Sequence, residues 1–150
     1  MSAGQPRISI SFLYAYTTDL AETRRFYTEL VGMEEVAFKP EWNWLCYQCE
    51  GFQYMFFGAP EGYEPPTEFA VQPGWEGGEL VMPSWSITVP SEDFPAVVEC
   101  LRAADVKRFF DKPAWCRDSY WSFPVLDPAG MTIEVCNTPK ERPASTEWPD

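Results

Sequence analysis

The feature that most constrains this chain is an internal repeat of one order of elements, a strand and a helix followed by three strands. In the first copy, the alternation in ISISFLYAY (8–16) predicts a strand. DLAETRRFYTELVG (19–32) predicts a helix that begins after an aspartate N-cap and ends at a glycine. Breaks at KPE and Gly51 then separate three short runs typical of strands, MEEVAFK, NWLCYQCE and FQYMFFG.

The second copy has the same order. SWSITVP (84–90) predicts a strand, a capped helix is expected from Ser91 to about Ala104, and VKRFF, SYWSFPVL and MTIEVCN predict three more strands. Each copy alone leaves one sheet face uncovered, whereas two copies together bury the apolar faces of the helices. We therefore predict an α+β fold in which two tandem βαβββ modules form a curved mixed sheet around a shared cavity.

A chain of 150 residues and 17.2 kDa has the length of one domain. The expected organisation is module one at about 8–58, a linker at about 59–83, module two at about 84–136 and a tail at 137–150. The linker is rich in Pro, Gly and Glu, which indicates a functional loop or a flexible connection, although Phe69 and Trp75 favour some packing. We expect the tail to be unstructured or a loosely docked arm.

The charge balance argues against two classes of partner. Eleven basic and 23 acidic residues give a formal charge of -12, which repels phosphate backbones and anionic lipids and attracts cations. No stretch reaches the roughly 18 apolar residues of a membrane span, and the first residues lack the pattern of a secretory signal. We expect a cytoplasmic protein that binds neither nucleic acid nor membrane. Its five cysteines, an odd number, exclude a complete disulfide framework.

Strand alternation indicates which side chains face the cavity. The faces with plain aliphatic residues should meet the helices, as expected for Leu13, Leu45, Phe123, Val125, Ile133 and Val135. The opposite faces give an aromatic wall in module one and a wall of hydroxyl groups in module two. These inward positions carry no Arg or Lys and comprise Phe12, Tyr14, Tyr16, Trp42, Trp44, Cys46, Gln48, Gln53, Met55, Phe57, Ser84, Ser86, Thr88, Tyr120, Ser122, Thr132, Glu134 and Cys136.

Two interpretations of these walls remain open. The rings either fill a closed core or form a ligand pocket, in which they stack on a flat or cationic molecule while the hydroxyl groups orient it. The loop at 109–121 is either a solvated connection or a lid that includes Trp115, and its charged residues are Lys112, Arg117 and Asp118. Asp127, before Pro-x-Gly, is expected to serve the turn.

Glu134, a lone carboxylate in an apolar run, has three interpretations. It accepts hydrogen bonds from neighbours such as Tyr14, Ser84 or Ser86, because an unpaired buried charge is costly. Alternatively, it anchors a cationic ligand. In the third, it is a general base whose pKa is raised by the surrounding rings, with Tyr14 or Tyr120 as proton partner.

The two modules, the helix entry DLAETRRFYTELVGM and the closing LDPAGMTIEV resemble the vicinal oxygen chelate superfamily over residues 8–136. This superfamily includes glyoxalases, bleomycin-resistance proteins and extradiol dioxygenases. Its enzymes usually hold a divalent metal at four inward positions, which the resemblance places at Phe12, Met55, Ser84 and Glu134. A catalytic site needs about three histidine, carboxylate or thiolate ligands, so we expect no metal and no cofactor. Cys46 and Cys49 should point to opposite strand faces, which prevents joint chelation.

We expect a metal-free protein that captures an aromatic or cationic compound, similar to the drug-sequestering members of this superfamily, with resistance by sequestration as its role. The resemblance also implies a homodimer. The alternative is a metal-independent lyase or isomerase with Glu134 as general base, and a weaker option is a degenerate module kept for dimerisation or regulation. We expect binding rather than turnover, with the candidate ligand-binding residues Phe12, Tyr14, Tyr16, Trp42, Trp44, Met55, Ser84, Ser86, Trp115, Tyr120 and Glu134.

Overall fold

In the computed structural model, which describes residues 9–150, the first module has the predicted order of elements. Its strands form one sheet in the order β1-β4-β3-β2, and β1 runs parallel to β4. Ile8, where the first strand and module one were predicted to begin, lies outside the described residues. The strands are β1 (Phe12–Thr17), β2 (Glu35–Lys39), β3 (Trp44–Cys49) and β4 (Phe52–Gly58).

The helix of this module, α1, begins and ends where the sequence predicts. Its α-helical part is Leu20–Arg24, and the chain continues as a π-helix over Arg25–Val31, which was not predicted. The Asp19 carboxylate accepts a hydrogen bond from the backbone N–H of Glu22 at 2.9 Å, so Asp19 is the N-cap. Gly32 ends the helix with a φ of 82°, a left-handed conformation that glycine adopts without steric cost.

The second module repeats this architecture. Its sheet has the order β5-β8-β7-β6, and β5 runs parallel to β8. The prediction of an α+β fold with two tandem βαβββ modules is therefore confirmed. The elements are β5 (Trp85–Thr88), α2 (Phe94–Ala103), β6 (Ala114–Cys116), β7 (Tyr120–Leu126) and β8 (Thr132–Asn137).

Two local predictions in this module are wrong. The sixth strand is not VKRFF, where Arg108 makes only a single bridge to Val125. It lies in the segment predicted as a loop, because Arg117 and Asp118 both adopt positive φ and turn β6 tightly into β7. Ser91 does not cap α2, because its hydroxyl donates to Oδ1 of Asn137 at 3.3 Å and the helix begins only after Asp93.

One hydrophobic core joins the modules, because the inner faces of both sheets pack around the two helices. The ring of Tyr54 on β4 lies 5.3 Å from that of Trp85 on β5, measured between centroids. Of the residues predicted to meet the helices, Leu13 on the edge strand β1 is 38% exposed. The remaining five are fully buried, namely Leu45, Phe123, Val125, Ile133 and Val135.

The linker and the tail both pack onto the modules. Phe69 and Trp75 of the linker are buried, as their types suggested. The tail is a docked arm, since the ring of Trp148 lies 5.4 Å from Phe94 and 5.0 Å from Trp121. Within residues 9–150, no helix combines the length and apolar character needed to cross a bilayer.

Candidate functional site

The strand register of the first sheet gathers the predicted rings on the face that points away from the helices. Met55 is the partner of both Tyr14 and Cys46, and Phe57 is the partner of both Tyr16 and Trp44. Paired residues of neighbouring strands point to the same side of a sheet. We call this surface the aromatic face, and it consists of Phe12, Tyr14, Tyr16, Trp44, Met55 and Phe57. Trp42 lies beside it in the 3-10 turn Pro40–Trp42, with 68% of its surface exposed.

The aromatic face is a connected platform open to solvent. Measured between ring centroids, Tyr14 lies 6.2 Å from Phe12, 5.9 Å from Tyr16 and 5.8 Å from Phe57. Tyr63 of the linker continues the row, with its ring 6.3 Å from that of Tyr16. Tyr14 is 53% exposed, Phe12 50% and Tyr16 41%. These rings are therefore available to a partner instead of filling a closed core.

The aromatic face also carries a cation, which contradicts the expectation that it has no Arg or Lys. Lys39 at the end of β2 pairs with Trp44, so its side chain leaves from the same face. The register shifts by one residue between Glu35 and Ala37, and this bulge reverses the alternation that a regular β2 would have.

The second sheet gathers hydroxyl groups around Glu134 on its own outward face. Ser86 is the strand partner of Glu134, and Ser122 is the partner of Cys136. We call this surface the hydroxyl face, and it consists of Ser86, Thr88, Tyr120, Ser122, Thr132 and Glu134. Ser84 precedes β5, which begins at Trp85.

Glu134 is 5% exposed and accepts hydrogen bonds from three hydroxyl groups. Its Oε1 accepts from Oγ of Ser86 at 2.8 Å. Its Oε2 accepts from Oγ of Ser122 at 2.7 Å and from the Tyr120 hydroxyl at 3.2 Å. The hydrogen-bonded interpretation is therefore correct for Ser86, whereas the other donors are Ser122 and Tyr120 instead of Tyr14 and Ser84.

Tyr120 and the two cysteines beside the hydroxyl face, Cys116 and Cys136, are held neutral. Burial, followed by the negative charge of Glu134, raises the pKa of the Tyr120 phenol, which stays protonated as a hydrogen-bond donor. Burial likewise raises the pKa of the Cys116 and Cys136 thiols. Neutral thiols and a phenol are poor nucleophiles and poor acids, so these three groups supply hydrogen bonds and no charge.

Part of the linker covers the hydroxyl face. We call residues 66–80 the strap. Its Ala70 N–H donates to Oγ1 of Thr132 at 2.7 Å. A Cβ on Gly74 would overlap the Tyr120 hydroxyl and lie 3.3 Å from Oε2 of Glu134, so the strap backbone passes directly over the acid. The two predicted walls thus differ in their surroundings, because the aromatic face is exposed and the hydroxyl face is covered.

Trp115 is not part of a loop at the mouth of this site. It lies in β6 opposite Trp121, with ring centroids 5.1 Å apart, and packs toward the core. Its Nε1 donates to Oδ1 of Asp118 at 2.9 Å. Of the charged residues in the predicted loop, Lys112 pairs with Asp150 of the tail. Arg117 instead donates to the Pro73 carbonyl of the strap at 2.7 Å.

The sequence matches the model of the Glyoxalase/Bleomycin resistance protein/Dioxygenase superfamily over residues 9–135, most of the chain. The chain belongs to this superfamily. No curated protein matches it.

Solved structures of the superfamily share the fold at low identity. A glyoxalase/dioxygenase from Nostoc punctiforme has a TM-score of 0.67 and 17% identity, with 93% of this chain and 97% of that chain covered. The fosfomycin resistance protein FosX from Listeria monocytogenes has a TM-score of 0.61 and 14% identity, with 89% of this chain and 94% of that chain covered. A lactoylglutathione lyase from Agrobacterium tumefaciens has a TM-score of 0.57 and 17% identity, with 89% of this chain and 96% of that chain covered.

The residues of this chain do not fit the metal site that superfamily enzymes usually hold. On the neighbouring strands, Glu134 pairs with Ser86 and Met55 pairs with Tyr14. The residues next to these two positions are therefore Ser86 and Tyr14, each two residues after the expected Ser84 and Phe12. One carboxylate with a serine, a phenol and a thioether is a poor donor set for a catalytic divalent ion. In the described part of the chain, no three His, Cys, Asp or Glu side chains are grouped.

The cysteine pair does not supply the missing ligands. Cys46 pairs with Met55 and Cys49 with Phe52, which places the two thiols on opposite faces of β3, as the sequence predicts. Burial raises the pKa of both thiols, which favours the neutral form over the thiolate that binds metals.

The sequence did not identify a buried network that joins the modules through Asp127. As predicted, Asp127 serves the turn, because its Oδ1 accepts from the Met131 N–H at 2.8 Å and Gly130 adopts a φ of 80°. Its Oδ2 also accepts from the Tyr27 hydroxyl at 2.7 Å, and Tyr27 lies 3.2 Å from the Tyr54 hydroxyl. Tyr27 and Asp127 lie 100 residues apart in the sequence, so no local sequence pattern predicts their contact.

Proposed function

We propose that this superfamily member captures an aromatic or cationic small molecule without transforming it, and that it confers resistance by sequestration. The observation that carries this proposal is the solvent-open platform of Phe12, Tyr14, Tyr16 and Phe57. Contiguous exposed apolar surface is disfavoured in water and marks binding surfaces. Rings at spacings of 5.8 to 6.2 Å offer several faces and edges to one flat ligand.

The number of rings matters for affinity. A stacking or cation–π contact contributes on the order of 0.5 to 2 kcal/mol, whereas micromolar binding needs about 8 kcal/mol. Several rings must therefore act together. Lys39 repels a cationic substituent from the β2 edge, so we expect a charged group of the ligand to lie toward the opposite edge, at β1.

Glu134 supports an anchoring role better than a catalytic one. Within residues 9–150 no Lys or Arg forms an ion pair with it, and hydroxyl donors hold its carboxylate in place. Oε1 has a single donor, which leaves a lone pair for a ligand cation. As a general base, Glu134 would have to exchange its protein donors for a substrate proton. Tyr120, with its raised pKa, is also a weak proton partner.

We also propose that the ligand site is completed in a homodimer. Within residues 9–150, the rings Phe12, Tyr14 and Tyr16 of the aromatic face stay exposed, and superfamily members commonly form dimers. A second copy would cover this face and bring a hydroxyl face close to it. The ligand would then lie between rings and the anchoring carboxylate.

Titration of the tryptophan fluorescence with a panel of planar aromatic cations tests the proposed capture. We expect saturable quenching, because Trp44 lies on the aromatic face, and recovery of the compound unchanged. Tyr14→Ala should weaken binding roughly three- to tenfold, the value of one aromatic contact. Val81→Ala is the control, since Val81 is 98% exposed and lies outside the aromatic face.

Absence of quenching across the panel would contradict the proposal. So would turnover of a bound compound that Glu134→Gln abolishes, because that result would assign a lyase or isomerase activity to this acid. Under the capture proposal, Glu134→Gln weakens the binding of cationic compounds and produces no change in their chemistry.

A further inference from the structure

Besides the buried hydrogen bond from the Ala70 N–H to Oγ1 of Thr132, the strap is attached to the second module by contacts of two kinds. One is a set of exposed polar contacts, in which Arg117 donates to the Pro73 carbonyl and Nζ of Lys107 donates to the Thr67 carbonyl at 2.6 Å. The other is an apolar cluster, in which Phe69 and Trp75 pack on Leu126. Exposed hydrogen bonds exchange readily with water, so the cluster provides most of the attachment, and the Arg117 bond adds a smaller part that can be broken separately.

Between these attachments the strap is thin and rich in glycine. Gly74 lies so close to the Tyr120 hydroxyl that an added Cβ would overlap it, and that Cβ would lie 3.3 Å from Oε2 of Glu134. Gly77 and Gly78 follow with φ values of 129° and 85°, conformations that glycine adopts easily. A cover of this kind shields the acid, which is 5% exposed, and its glycines allow the backbone other conformations once their packing contacts are lost.

We propose that the strap is a gate, which lifts from the hydroxyl face to admit a cationic group to Glu134 and is latched in the closed state by Arg117. The nature of the incoming group rests on the proposed function, whereas the gate itself rests on the contacts of the strap. In the closed state, the Gly74 backbone occupies the space over Oε2 that an incoming group would need. Opening exposes the carboxylate and the Tyr120 hydroxyl together.

Cysteine alkylation reports this opening without any ligand. Cys116 packs against the cluster of Phe69, Trp75 and Leu126, so its thiol becomes accessible when the strap lifts. Cys46 is buried in the first module and detects opening outside the strap, while Cys100 is exposed and gives the reference rate. Iodoacetamide labelling followed by peptide mass spectrometry measures all three rates in one sample.

Gly74→Ala should favour the open state, because the added methyl group overlaps the Tyr120 hydroxyl. We expect the Cys116 rate, relative to Cys100, to rise roughly tenfold, as overpacking of one methyl group predicts for an opening equilibrium. The Cys46 rate should not change. Adding Tyr120→Phe removes the overlapping oxygen and should restore most of the protection of Cys116.

Arg117→Ala tests the latch independently of the glycine contact. It should raise the Cys116 rate severalfold by removing the bond to the Pro73 carbonyl. Arg142→Ala is the matched control, because Arg142 binds Asp118 on the same hairpin and does not hold the strap. Equal Cys116 rates in these two variants, or a Cys46 rate that rises in step with Cys116, would overturn the gate. Failure of the fluorescence titration alone would overturn the proposed ligand and leave the gate standing.

Discussion

At the scale of single residues, the two buried carboxylates of this protein have different surroundings. Glu134 is held by three hydroxyl groups on an outward sheet face, beneath a removable cover. Asp127 lies inside the core, where it closes a turn and accepts the Tyr27 hydroxyl. Burial raises the pKa of Asp127 to about 6, although the bonds from Tyr27 and Met131 oppose that change.

This raised pKa predicts a specific pH dependence of stability. The folded state binds the Asp127 proton more tightly than the unfolded chain, where the pKa of aspartate is about 3.9. The resulting stabilisation is complete below that value and is lost as the pH rises through about 6. From pH 5 to 7.5, the free energy of unfolding should therefore fall by about 1.4 kcal/mol more in the wild type than in Asp127→Asn.

Urea denaturation at several pH values measures this difference. Tyr54→Phe is the control, because it alters the same network but keeps the carboxyl group, and it should retain the wild-type slope. Parallel pH profiles for Asp127→Asn and the wild type would show that Asp127 titrates alike in the folded and unfolded states.

At the scale of elements, helix α1 has two ends that the sequence predicts and a π-helical stretch that it does not predict. Asp19 and Gly32 set its ends, and both are readable from the sequence. The π-helical stretch between them carries Tyr27, which reaches Asp127, and Thr28, whose hydroxyl donates to Glu35 at 2.9 Å. Widening of this kind is common where a helix must aim side chains at particular partners.

The N-cap gives a direct test of this element. Asp19→Ala removes the acceptor of the Glu22 N–H and should lower the free energy of unfolding by about 1 kcal/mol. Asp19→Asn retains a capping oxygen and should lower the free energy of unfolding by only a few tenths of a kcal/mol. Chemical denaturation followed by far-ultraviolet circular dichroism measures both variants, and equal losses would mean that the side-chain cap does not stabilise α1.

At the scale of the whole molecule, the inner faces of both sheets are buried in one core, and the outer faces lie outside it. One outer face is aromatic and exposed, and the other is polar and covered by the strap. An exposed row of rings on the edge strand β1 is a surface that a second copy would cover. Among residues 9–150 no strand pairs with the outer edge of β1, which adds backbone donors and acceptors.

The proposed dimer predicts a molecular mass of twice 17.2 kDa in sedimentation equilibrium at micromolar concentration. Phe12→Lys should raise the dimer dissociation constant at least roughly tenfold, because it buries a charge in an apolar contact. Val81→Lys introduces the same charge at a fully exposed position and should leave the mass unchanged. A monomeric wild type at concentrations that saturate ligand binding would contradict a site shared between copies.

The sequence alone determined the order of the elements, the ends of α1 and, outside β2 and β6, the side chains that share each sheet face, because these follow from local periodicity and capping. It also showed that Glu134 has no second acid or histidine near it in the chain. Only the tertiary structure decided what covers each face. The bulge that turns Lys39 outward depends on pairing with β3, and the contact of Gly74 with Glu134 joins positions 60 residues apart. Such contacts arise from how the modules and the strap pack together, and no local pattern encodes them.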